Sequence, residues 1–173
     1  DEKTAIKNFA FWSLRPELVV LNIAEGTADP SKEFKACTTS PTMAICCQIE
    51  AEIAGLPEDD RREFLDSLGI KIPAFQTIIQ TAFSQLNRIY YFTVGEDEVR
   101  AWIIPKDSTA PKAASAIHAD FERGFIKAEV VSFEDFIQNG ETLATAKAAG
   151  KLRLEGKDYI VQDGDIISFR FNV

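Results

Sequence analysis

The segment 18–23 reads LVVLNI, an apolar run interrupted only by Asn22 and rich in β-branched residues. A strand with one face in water alternates polar and apolar residues. A run without alternation reads as a strand buried on both faces, which a parallel sheet sandwiched by helices provides. MAICC (43–47) reads as a second short buried strand, and IEAEIAGL continues it as a helix. Residues 24–42 are small and polar, with Gly26, Pro30 and Pro41, and read as a loop. Ahead of the first strand, Ile6, Phe9, Ala10 and Leu14 fall at helical spacing, so a helix is expected over 3–14, stopped by Pro16. Pro57 opens another helix, PEDDRREFLDSLG, with acids at its start and a glycine at its end. Residues 72–86, IPAFQTIIQTAFSQL, form a third. Strand, loop, strand and helices is the way a doubly wound α/β domain ends. With no early βαβ repeats, this stretch is too short to be a whole one.

The pattern changes near residues 86–88. RIYYFTVG (88–95) and EVRAWII (98–104) are strand-like runs about Glu96-Asp97, an expected hairpin. TAPKAASAIHADFERG reads as one helix, with Thr109 as cap, Pro111 in its first turn and Gly124 beyond its end. FIKAEVVSF (125–133) is a strand. EDFIQNG and TLATAKAAG are short helical pieces closed by Gly140 and Gly150. KLRLEG and KDYIVQDGD give short strands and turns, and IISFRFNV a last alternating strand. This order is that of a β-grasp, ubiquitin-like module of α+β class. The expected domains are therefore 1–86 and 88–173.

Composition narrows the function classes. With 173 residues, 46% hydrophobic and 27% charged, the chain has room for one domain or two small ones and is not a disordered composition. No apolar run approaches the ~20 residues of a membrane-spanning helix, and the N-terminus lacks the basic-then-apolar order of a secretory signal. A net charge of −8 speaks against a general polyanion-coating protein. The cysteines, Cys37, Cys46 and Cys47, are odd in number and lack a CxxC pair, which argues against a disulfide framework and structural zinc and for a reducing, cytoplasmic setting. The single histidine excludes a multi-His metal site.

Several longer motifs carry a resemblance: YYFTVGEDEVRAW, then AP-x-AA-x-x-IH-x-DFE-x-GFI-x-AEV, then AAGK-x-R-x-EGKDYIVQDGDII-x-F-x-FNV. They resemble the TGS domain that closes the Obg-like ATPases, the YchF family, over nearly all of 88–173. SLRPELVVLNIAE and ICCQIEAEIAGL in the first half are similar to the same family. The phosphate loop of that family, G-x-x-x-x-G-K-[ST], does not occur here. The Gly-Lys pairs are Gly150-Lys151 and Gly156-Lys157, neither followed by Ser or Thr. The chain, which does not begin with Met, is thus expected to be a C-terminal piece of a longer parent: an α/β remnant of a P-loop, G-protein-like domain over 1–86, then a TGS β-grasp domain. The resemblance implies ATP (or GTP) and Mg²⁺ as cofactors of the intact parent and the ribosome or its RNA as partner. This chain alone, without the phosphate machinery, is expected to hold no cofactor and to catalyse nothing.

Within that frame, Asn22-Ile23-Ala24-Glu25 stands where G-protein-like NTPases carry the base-recognition sequence N-K-x-D. The Asp of that sequence accepts two hydrogen bonds from guanine, and the N-x-x-E variant relaxes guanine selection. A polar strand end is the plain alternative. Cys46-Cys47-Gln48 stands where an S-A-K-like loop presents backbone N–H groups to the base. A nucleophilic Cys46 or Cys47 would instead need a base nearby, and the one imidazole lies in the other module. His118 and Asp120 invite an acid–base reading, but positions i and i+2 of a helix do not face each other. His118 therefore reads as a helix C-terminal residue that meets free carbonyls or packs beneath the sheet, with partner contact as the lesser alternative. Arg88, Tyr90, Arg100 and Trp102 share the expected hairpin and are compatible with stacking and phosphate contact. They are equally typical of a solvated sheet face. Asp163 and Asp165 flank a turn at Gly164 and offer too few carboxylates for calcium. A non-enzymatic β-grasp adaptor for protein or RNA is the alternative function.

Overall fold

The computed structural model describes residues 7–95 and 98–172. The expected turn at Glu96-Asp97 and the first part of the expected N-terminal helix lie outside the described residues. The chain divides into two compact units, 1–86 and 87–173. No helix among the described residues is long and apolar enough to cross a membrane.

In the first unit, β1 (Val19–Asn22) pairs in parallel with β2 (Thr42–Ile45), from Val19 opposite Thr42 to Asn22 opposite Ile45. The apolar run does form a parallel strand, but not one buried on both faces. Val19 and Leu21 are half-buried while Val20 and Asn22 are exposed, because one face of this two-stranded pair stays in water. The expected N-terminal helix is also corrected. Lys7–Phe9 and Trp12–Leu14 are single 3-10 turns. Ala10 between them has φ 51°, a left-handed conformation through which a right-handed helix does not continue. The expected loop contains a short helix, α1 (Ser31–Phe34), and a 3-10 turn at Lys35–Cys37.

Three longer helices follow: α2 (Cys47–Gly55), α3 (Glu58–Ser67) and α4 (Ala74–Gln85). Glu58, Asp59 and Asp60 place negative charge in the first turn of α3, where the helix dipole favours it. Gly69 takes the left-handed φ of 67° that ends this helix. The first two N–H groups of α4, on Ala74 and Phe75, donate to Oε1 and Oε2 of Glu50 at 2.8 and 3.3 Å. One carboxylate of α2 therefore caps α4 and ties two helices together. Apolar burial in this unit is thin. Among the described residues Ile53 is its one buried hydrophobic, while Ile72, Phe75 and Leu86 are each more than half exposed.

The second unit is a five-stranded sheet in the order β4-β3-β7-β5-β6. The strands are β3 (Arg88–Val94), β4 (Val99–Pro105), β5 (Phe125–Val131), β6 (Arg153–Glu155) and β7 (Ile166–Phe171). Neighbours are antiparallel except β3 and β7, which run parallel. Short helices α7 (Phe133–Gln138) and α8 (Leu143–Ala148) are capped by Ser132 and Thr142, whose hydroxyls accept N–H bonds at 3.1 Å. The single helix expected over 109–124 is two pieces, α5 (Ala110–Ala114) and α6 (Ala119–Arg123). His118 between them is extended, at φ −160° and ψ 144°, and restarts the helix as its N-cap.

Each face of the sheet has its own core. Ile89, Tyr91, Ile104, Phe125 and Val130 pack with the alanines of α5 on one face. Val131, Phe136, Ala146 and Ile166 pack on the other. The Tyr91 hydroxyl donates to the Ala113 carbonyl at 3.0 Å, and burial pushes its phenol well above the ordinary range. Asp165, 3% exposed, accepts from the Tyr159 hydroxyl at 2.6 Å and from the Gln162 N–H at 2.9 Å. Burial first, then Asp165, raises the Tyr159 phenol to about 12.

Gly124 marks a close approach of backbones. A Cβ there would land on the carbonyl oxygen of Asn172 and 2.9 Å from its carbonyl carbon, and the Asn172 N–H already donates to Gly124 at 2.8 Å. Gly124→Ala is expected to lower the unfolding free energy of this unit by ~2–3 kcal/mol. Gly156→Ala, with no atom within 4 Å of the new carbon, is the near-neutral control. Urea unfolding of both variants checks this; equal midpoints would contradict the close approach.

Candidate functional site

The two parallel strands of the first unit end side by side, and their carboxyl ends carry both segments expected to read a base. Asn22 closes β1, and its side-chain oxygen accepts the Cys47 N–H at 3.2 Å. The Ile23 N–H donates to the Ile45 carbonyl at 2.8 Å. Beyond it the chain turns, Thr27 N–H to Ala24 carbonyl at 3.1 Å, with Gly26 at φ 72°. Glu25 is exposed in that turn and Ile23 is half-buried. Across from them Cys46 is the half-buried N-cap of α2, while Cys47 and Gln48 open the helix exposed to solvent. The Gln48 side chain donates to Glu52 at 3.2 Å.

Asn22, Ile23, Glu25, Cys46, Cys47 and Gln48 are thus one locality, at the carboxyl edge of a parallel strand pair, where open α/β sheets bind ligands. Chemically it offers an exposed carboxylate, the backbone of a turn and the start of a nine-residue helix. Asn22 acts as the clasp between the two segments. All three cysteines are free, and the first unit contains no histidine to activate one.

The candidates on the second unit are not one surface. In the β3–β4 register Arg88 lies opposite Pro105 and Tyr90 opposite Ile103, whereas Thr93 lies opposite Arg100 and Tyr91 opposite Trp102. Side chains alternate along a strand. Arg88 and Tyr90 therefore share one face, and Arg100 and Trp102 share the other with buried Tyr91. The expectation of a common basic-aromatic patch is corrected by this parity. Arg100 and Trp102 do form a unit. The guanidinium lies 4.3 Å from the indole centroid, and the indole N–H donates to the Thr93 hydroxyl at 2.9 Å. Trp102 borders a cavity of about 410 Å³ that Thr93, Ile117, Phe121 and Phe169 also line. Thr93, which fixes the indole, was not legible as a site residue; its only signal is its place across the hairpin.

His118 is not a helix C-terminal residue. Its Nδ1 accepts the Asp120 N–H at 3.2 Å, the role of an N-cap acceptor. Its approach to the Asp120 carboxylate, 3.4 Å, follows from the extended residue 118 rather than from a shared helix face. Asp163 accepts the Tyr90 N–H at 3.1 Å while Asp165 serves Tyr159 and Gln162. Among the described residues no group of three or more His, Cys, Asp or Glu is placed to hold a metal ion.

Residues 88–172 match the family YchF-GTPase_C, described as a protein of unknown function (DUF933). The whole chain aligns with the ribosome-binding ATPase YchF of Pasteurella multocida at 48% identity over 180 residues, which is 49% of that relative. It also aligns with that of Bacillus subtilis at 43% identity over 182 residues, 50% of that relative. The chain spans about half the length of the curated relatives it matches. The structure of the Schizosaccharomyces pombe YchF GTPase superposes with a TM-score of 0.83 at 29% identity, covering 98% of this chain and 47% of that one. A GTP-binding protein from Pyrococcus horikoshii shares the fold, with a TM-score of 0.58 at 20% identity, over 91% of this chain and 46% of that one.

Proposed function

The chain belongs to the YchF family, and from that premise we propose that it is the C-terminal half of a P-loop ATPase, with GTP as the alternative nucleotide, that works at the ribosome. Residues 1–86 complete the nucleotide-binding domain and supply its base contacts. Residues 88–173 form the TGS domain. The observation that carries the reading is the clasp of Asn22 on Cys47, which unites the two base-reading segments at a sheet edge suited to ligands. The strand order of the second unit, with parallel β3 and β7 at its middle, supports a β-grasp. Phosphate and Mg²⁺ contacts come from the part of the parent outside these residues. The absence of a G-x-x-x-x-G-K-[ST] sequence favours a second reading, a non-enzymatic adaptor, whenever this segment acts alone.

The ribosomal contact is assigned to the Arg100–Trp102 face, where a guanidinium lies over an indole that borders a cavity. The full chain should co-sediment with ribosomes with a shallow salt dependence, on the order of two to four ion equivalents, because an acidic protein meets few phosphates. Arg100→Ala should reduce the salt slope by about one, and Arg88→Ala, on the opposite face, should leave it unchanged. A chain that never sediments while the full-length parent does would place the ribosomal contact elsewhere in the parent.

A further inference from the structure

We propose that the sheet face opposite Arg100 holds a pocket for a cationic side chain, a lysine or arginine presented by a partner protein. The pocket, about 450 Å³, is lined by Tyr90, Phe92, Phe133, Glu134 and Asp163, with Ser132 and Gly164 completing it. It goes beyond the ribosomal reading, which uses the other face and a different chemistry.

Three aromatic rings stand in series. Tyr90 and Phe92 meet edge to face at 5.4 Å between centroids, and Phe92 and Phe133 lie 6.2 Å apart. Phe133 is 51% exposed, a large apolar ring left open to water. Two carboxylates share the lining, and among the described residues neither Glu134 nor Asp163 forms an ion pair. Their neighbours do: Asp135 pairs with Lys151, and Asp165 lies 3.7 Å from Arg153. Arg88 shares this face of β3, yet pairs with neither carboxylate. Ring faces attract a cation through their quadrupole, and an unpaired carboxylate beside them adds charge. An anion such as a phosphate would meet two negative groups here, so the pocket selects against nucleic acid.

The pocket is also built in advance. Its floor is the turn 162–165, fastened to β3 by three bonds. The Tyr90 N–H donates to Asp163 at 3.1 Å, the Gly164 N–H to the Tyr90 carbonyl at 2.9 Å, and the Phe92 N–H to the Asp165 carbonyl at 2.8 Å. Gly164 takes φ 82° and lies against Phe133, whose Cβ would be 3.9 Å from an added carbon. A cation with an aliphatic stem would enter a site already ordered, with little rearrangement to oppose binding.

The test is an amide-resolved NMR titration of the full chain with three blocked tripeptides, Gly-Arg-Gly, Gly-Lys-Gly and Gly-Gln-Gly. The arginine and lysine peptides should shift the amides of Phe92, Phe133, Glu134 and Gly164, saturating in the millimolar range expected of one side chain, and the glutamine peptide should not. Glu134→Gln with Asp163→Asn should weaken binding about fivefold. Asn keeps the oxygen that accepts from Tyr90, and the spectrum itself reports folding; Glu134→Gln alone, on an exposed residue, should weaken it about twofold. Equal shifts with all three peptides, no shift up to about 20 mM, or shifts of the same amides by a short oligoribonucleotide would each overturn the proposal.

Discussion

Mixed with Mg-ATP in a calorimeter, this chain is expected to show neither micromolar binding nor turnover. Were a base to gain two or three hydrogen bonds at the locality around Asn22 and Cys47, each would contribute a net ~0.5–1.5 kcal/mol. A micromolar site needs ~8 kcal/mol. In nucleotide-binding proteins much of that difference comes from backbone N–H groups and a lysine around the phosphates, and no phosphate-loop sequence is present. The expected dissociation constant is therefore weaker than about 1 mM, a thousandfold from the micromolar range. Micromolar affinity, or steady release of phosphate, would overturn the assignment of the phosphate machinery to the rest of the parent.

In the full-length parent, Glu25→Asp combined with Ile23→Lys should shift the ATP/GTP affinity ratio at least tenfold towards GTP. The shorter carboxylate is the one placed to accept both guanine donors in N-K-x-D loops. A bidentate pair to a base discriminates by ~1–3 kcal/mol, and 1.4 kcal/mol is a factor of ten. Both positions tolerate the change. Glu25 is exposed, and half-buried Ile23 leaves room for a lysine stem with its charge in water. Asn22 is left intact because its oxygen holds Cys47. Competition of the two nucleotides for a fluorescent analogue measures the ratio, and an unchanged value would show that this loop does not read the base.

How far such features can be read from residues alone depends on whether local chemistry or distant pairing decides them. The parallel pairing of Val19–Asn22 with Thr42–Ile45 was legible, because an apolar run without alternation suits few other settings. The exposure of Val20 was not, since apolar continuity says nothing of what lies across a face. The helix over 109–124 split at His118 although its residues are mostly helix-compatible. The break depends on a side chain accepting a backbone N–H two residues on, which helix propensity does not encode. Arg88 and Arg100 fell on opposite faces because one residue of register inverts every side chain, and register is set by the hairpin as a whole. The clasp between Asn22 and Cys47, 25 positions apart, becomes visible only once the two strands are laid in parallel.

The place of β7 has a consequence for how the second unit comes together. It lies in the middle of the sheet, between β3 and β5, yet follows all the other strands in the chain. Phe92 pairs with Ile166, so the central seam closes a loop of about 70 residues, whose entropy must be overcome before the contacts repay it. Until then the sheet is two separate hairpin-like halves, each exposing an unpaired edge. During synthesis the β3 edge stays open for most of the time the ribosome takes to make the unit, and it is then a template for mispairing with other chains. Completion is late: a single strand sews both halves and, through the turn 162–165, sets the walls of the pocket beside Phe133.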